Sequence, residues 1–123
     1  MKEKSCHVMR GVTAHILILA VLLFPLSTFA HGPSKVALSY DTGGQTLAVT
    51  IKHNVSNPGS HFIDRVIVSK NGEEVLTQTY TSQPDVLPFT YTYEVPAAAG
   101  DTFAVKAECN KFGSRKAKLT VAE

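Results

Sequence analysis

Hydrophobic and polar positions alternate in twos along most of the chain after Val36. Leu47, Val49, Ile51 and His53 alternate with Thr46, Thr50 and Lys52, and Phe103, Val105, Ala107 and Cys109 alternate with Lys106, Glu108 and Asn110. A period of two places each set on one face of an extended strand. Comparable runs recur at short intervals: Val36–Tyr40, Thr46–His53, Phe62–Lys70, Glu73–Tyr80, Phe89–Val95, Thr102–Asn110 and Lys116–Val121. Turn signals separate them: Asp41-Thr42-Gly43-Gly44, Asn57-Pro58-Gly59, Asn71-Gly72, Gln83-Pro84-Asp85, Pro96 to Gly100, and Phe112-Gly113. Asn71-Gly72 is the clearest hairpin, because both central positions of a two-residue turn take positive φ, which Asn and Gly tolerate. No helical period competes, and Pro96 and Gly100 favour a loop over a turn of helix between them.

Seven short strands so spaced predict an all-β fold, an immunoglobulin-like antiparallel β-sandwich. Leu47, Val49, Ile51, Val66, Phe103, Val105, Ala107 and Leu119 are the expected core. Tyr80, Tyr91 and Tyr93 fall on strands and read as packing residues. His53 and Cys109 each close an apolar row at the C-terminal end of a strand. Parallel-running strands put those ends at one pole of a sandwich, and the loop Asn54 to Ser60 brings His61 back to the same place.

The first thirty residues follow a different pattern. Lys2, Lys4 and Arg10 make a basic start, Ile16 to Leu26 is apolar, and Ser27-Thr28-Phe29-Ala30 carries small residues at the positions before a cleavage site. Residues 1–30 are therefore expected to be a secretory signal peptide, with residues 31–123 as one domain starting at His31. An uncleaved anchor is the alternative, but the apolar stretch is short for a span of roughly 20 residues. The expected location is periplasmic or secreted, with no stable membrane insertion after cleavage.

Removing the leader changes the charge balance. Three of the twelve Lys and Arg and one of the ten Asp and Glu lie in it, which leaves nine of each and a formally neutral domain. A nucleic-acid partner is excluded on that ground, since such a binder carries a basic face with excess Lys and Arg. Lys111, Arg115, Lys116 and Lys118 cluster locally; they are either a solvated strand and turn or an attractor for a small anion near Cys109. Cys6 leaves with the leader, so Cys109 stands alone in an oxidising compartment and no intrachain disulfide is expected. A lone thiol there is a buried small hydrophobe, an intermolecular partner that would make a homo-oligomer, or a ligand protected by its metal. Beyond residue 30 the potential ligands of soft or borderline character are His31, His53, His61 and Cys109. No Ser/His/Asp triad, phosphate loop or paired carboxylates stands out beside them.

At these residues the chain resembles a known family. The stretch His53-Asn54-Val55-Ser56-Asn57-Pro58-Gly59-Ser60-His61-Phe62-Ile63-Asp64-Arg65-Val66, then Val68, then Asn71-Gly72-Glu73-Glu74-Val75, and finally Ala107-Glu108-Cys109-Asn110-Lys111-Phe112-Gly113, looks like the iron-binding domain of superoxide reductase and desulfoferrodoxin. That family pairs a histidine loop ending H-[YF]-I with a late A-x-C-N-x-H-G. The resemblance implies an immunoglobulin-like sandwich holding one non-haem iron by four equatorial histidines and an axial cysteinate, with a sixth position open to superoxide. His53 and His61 match the two loop histidines, Cys109 matches the axial thiolate, and His31 stands at roughly the place of the first histidine.

The departures limit what the resemblance implies. Phe112 takes the place of the fourth histidine, and it is expected to plug and line the vacated side of the site. The His53 to His61 loop is about two residues longer than the usual one. No stretch corresponds to the family's small rubredoxin-like module. At most three histidines and one cysteine remain, a set that suits iron and equally zinc or copper. The expected function is an exported mononuclear iron protein that reduces superoxide to hydrogen peroxide with electrons from an unidentified donor. Two alternatives stand beside it: a copper carrier that chelates through the His31 amine and imidazole, and a metal-free sandwich acting as a binding module. Whether the chain is an enzyme is left open by the sequence.

Overall fold

The computed structural model describes residues 31–123. The predicted leader and its cleavage point at Ala30 lie outside the described residues. Seven strands follow in chain order: β1 Lys35–Asp41, β2 Thr46–Lys52, β3 Ile63–Lys70, β4 Glu73–Thr79, β5 Phe89–Glu94, β6 Thr102–Cys109 and β7 Ser114–Thr120. They form two antiparallel sheets, of order β1-β2-β5 and β4-β3-β6-β7. The all-β sandwich expected from the alternation is the architecture found, with element ends displaced by one or two residues.

Alternation explains the core directly. Leu47, Val49 and Ile51 from β2 face Val66 and Val68 from β3 and Phe103, Val105 and Ala107 from β6, all without solvent exposure. Each full burial of an aliphatic or aromatic side chain stabilises the fold by about 1.5–3 kcal/mol relative to exposure. Leu119 departs from the expected set and is only half-buried. It lies on β7, an edge strand, so the core covers it less completely than it covers the central strands.

Local chemistry sets the connections. Asn71 and Gly72 take φ of 52° and 84°, as a two-residue turn between β3 and β4 requires. Asn71 also donates from Nδ2 to Asp101 and accepts from the Thr102 amide at 2.9 Å in each case, which pins this turn to the start of β6. Tyr80 stacks on Tyr91 with ring centroids 4.2 Å apart, and its hydroxyl meets that of Tyr93 at 2.6 Å. These tyrosines pack as expected, between the edge strands β4 and β5. Burial pushes the Tyr91 hydroxyl up to about 12.

Phe112 corrects the sequence reading. Its side chain is 72% exposed and plugs nothing. The loop that carries it is closed tightly by the Cys109 amide donating to the Gly113 carbonyl at 2.9 Å. Gly113, at φ 91°, presses its backbone against that of Gly32: a Cβ on Gly113 would sit 2.6 Å from the Gly32 nitrogen. The segment following His31 packs against this loop at Gly113, and the Phe112 ring turns to solvent.

The two phenylalanines should respond oppositely to truncation. Phe103→Ala is expected to cost about 3–5 kcal/mol, since it removes a fully buried aromatic ring from the core between the sheets. Phe112→Ala is expected to change stability by no more than about 0.5 kcal/mol, as for an ordinary surface site. Denaturant unfolding of both variants checks this, and a Phe112→Ala cost near that of Phe103→Ala would contradict the exposed placement.

Candidate metal centre

β2 and β6 end at the same pole, where β3 begins. The register places Ile63 opposite Cys109, so His61, two residues before Ile63, is carried to the end of β6. His53 follows the last residue of β2 and is 1% exposed. One ligand atom from each of His53, His61 and Cys109 lies within 4.8 Å of the others. Nε2 of His61 is 3.1 Å from Sγ of Cys109, and the two imidazole rings meet edge to face at 4.8 Å between centroids. His61 and Cys109 are half-buried, so the group lies at the sandwich surface with one wall inside the core.

The loop to His61 is shaped by its own residues. Asn57 accepts at its side chain from the Gly59 amide at 2.9 Å, and its carbonyl accepts from the His61 amide at 2.9 Å. Such Asn-centred turns compete well with extended backbone. Asn110 then clamps the loop onto β6: it accepts from the Phe62 amide at 2.9 Å and donates to the Ser60 carbonyl at 3.0 Å. The backbone adds a third bond, from the Asn110 amide to the Phe62 carbonyl at 2.9 Å. Asn110 thus joins the loop bearing His61 to the strand bearing Cys109.

His31 reaches this pole by its main chain. Its carbonyl oxygen lies 3.3 Å from Nε2 of His53. The close approach of Gly32 to Gly113 holds it there, together with Arg115, which donates from Nε to the Pro33 carbonyl at 3.0 Å. The group that brings three ligand atoms together comprises His53, His61 and Cys109; the His31 imidazole is not in it.

The electrostatics favour a neutral imidazole at His61. Burial lowers its pKa, and the nearby His53, Lys111 and His31 lower it further by positive charge. A neutral ring is the form that binds a metal. The Lys111 amide also donates toward Sγ of Cys109 at 3.4 Å. The basic cluster seen in the sequence divides in three dimensions. Lys111 stands by the ligands, Arg115 is engaged with Pro33, and Lys116 and Lys118 line the outer face of the β6–β7 ladder with Lys106.

Gln83 is a site residue that sequence reading passed over. It sits in a stretch read only as a turn, yet it is 4% exposed and makes its contacts at this pole. Gly32 is a second, since nothing local marks it as the partner of Gly113. The signals that exist are weak: a Gln before Pro and Asp reads as solvent-facing, and pairing of two distant glycines is invisible to a local pattern.

No family model matches the sequence, and no curated protein matches it. Among solved structures, the fold is similar to the superoxide reductase (neelaredoxin) of Ignicoccus hospitalis. That protein is 15% identical with a TM-score of 0.44, over 75% of this chain and 80% of the other. A variant of the same protein is similar at 14% identity with a TM-score of 0.46, over 76% of this chain and 80% of the other.

Proposed function

We propose that this is an exported protein that binds one metal ion between His53, His61 and Cys109, that the ion is iron, and that the centre reduces superoxide to hydrogen peroxide. The convergence of two imidazoles and a thiol within 4.8 Å at one pole carries this reading. Three such donors are few for chance in a domain where soft ligands are scarce, and they fit a mononuclear transition-metal ion. They do not reproduce a set of four imidazoles, because the group holds two histidines and residue 112 is a phenylalanine with no ligand atom. His31 is the fourth candidate ligand. A bound iron would supply the one-electron chemistry. Each superoxide takes up one electron, delivered by a donor protein, and two protons.

The residues of the chain have separate tasks in this reading. His53 anchors the ion from inside the core, where its ring cannot swing. His61 and Cys109, half-buried, form the wall nearer to solvent. Lys111 places a positive charge by His61, which attracts a small anion more strongly at low ionic strength.

A second reading, a copper protein, is favoured by one observation. The His31 carbonyl oxygen lies 3.3 Å from Nε2 of His53, and two histidines, a cysteine and a backbone oxygen are a donor set that suits copper in electron transfer. If the chain begins at His31 after export, the free amine strengthens this reading.

Elemental analysis and a visible spectrum of the protein purified from the periplasm decide between them. One iron per chain is expected, with a thiolate-to-ferric band. Cys109→Ser is expected to abolish that band and weaken binding by more than the about 10–100-fold typical of losing an outer-shell partner, while the fold survives. Copper with an intense thiolate band would replace the first reading by the second. A folded protein that takes up neither metal would leave a metal-free binding module.

A further inference from the structure

Gln83 and His53 are the buried polar side chains of the described residues, and they are bonded to one another. The orientation of the Gln83 amide is settled by backbone groups that have no choice of role. The Ile63 N–H lies 3.3 Å from Oε1, and the carbonyls of His53 and Asp85 lie 3.0 and 2.8 Å from Nε2. A flipped amide would set donor against donor and acceptor against acceptor. Oε1 is therefore the acceptor toward Nδ1 of His53, 2.8 Å away, so Nδ1 carries the hydrogen. In the neutral ring Nε2 then keeps its lone pair. In that neutral form the lone pair faces the His31 carbonyl oxygen 3.3 Å away, two acceptors that either a proton or a metal cation would bridge.

We propose that Gln83 is the positioning residue of the metal centre: it holds His53 in the Nδ1–H tautomer, so that Nε2 is turned to the ion and ready to bind it. This rests on the reading of His53, His61 and Cys109 as ligands. The same amide grips the main chain at the end of β2 through the His53 carbonyl and at the start of β3 through the Ile63 amide. It therefore sets the distance between the strand that carries His53 and the strand that follows His61. An acceptor on the far nitrogen also makes a ligating imidazole more basic and fixes its plane.

Cobalt(II) binding by the exported domain, with nitrogen NMR of the histidine rings in the metal-free protein, tests the proposal. The wild type is expected to carry the His53 proton on Nδ1. Gln83→Leu is expected to lose that preference and to bind cobalt about 10–100-fold more weakly, with circular dichroism showing a folded sandwich. Gln83→Glu keeps an acceptor opposite Nδ1 and loses both donations to the carbonyls, and it is expected to recover most of the affinity. A merely structural role predicts that Glu is no better than Leu. An Nε2–H tautomer in the wild type, or wild-type cobalt affinity in folded Gln83→Leu, would overturn the proposal. Should Gln83→Leu fail to fold, the wild-type tautomer and the Gln83→Glu affinity still decide. A wild type with the Nδ1–H tautomer that binds no cobalt would instead overturn the metal reading, and the proposal with it.

Discussion

The pairing of β3 with β6 is the interaction on which the candidate centre depends. Its register sets Val66 opposite Ala107 through the core, and after a shift between Ile63 and Arg65 it sets Ile63 opposite Cys109, which brings His61 to the end of β6. A slip of one residue by β3 would turn Val66 and Val68 out to solvent, and the same slip by β6 would turn out Phe103 and Val105. The apolar cost of such a slip, about 1.5–3 kcal/mol for each of these side chains, is far larger than any single hydrogen bond at the pole. The ligand geometry starts from the rigidity of the core.

Polar side chains then do what the sheets cannot. Strand pairing ends at this pole, and the backbone groups of the His61 loop need partners there. Asn57, Asn110 and Gln83 supply them. Every buried side-chain nitrogen and oxygen among the described residues has a polar partner within hydrogen-bond distance. A buried amide with all its capacity used is costly to disturb, because removing it strands donors and acceptors in a low-dielectric wall. The same network that folds the loop therefore orients the imidazole of His53.

The close contact of Gly32 with Gly113 gives the site its asymmetry. Main chain meets main chain there, with no side chains between. Backbone so close brings the His31 carbonyl within reach of His53.

The alternation of apolar and polar residues by itself determined the strands, their inward faces and the hairpin at Asn71-Gly72, because a period of two and positive φ are local properties of residue type. It also placed His53 and Cys109 at the ends of inward rows, and therefore at one pole. The tertiary structure alone decided the rest. Phe112 faces water on a loop closed by the Cys109 amide and the Gly113 carbonyl. Gln83 is buried because its amide meets the ends of two strands that only the folded chain brings together. Local pattern reports which face a side chain takes on its own strand; long-range backbone contacts decide what it meets there.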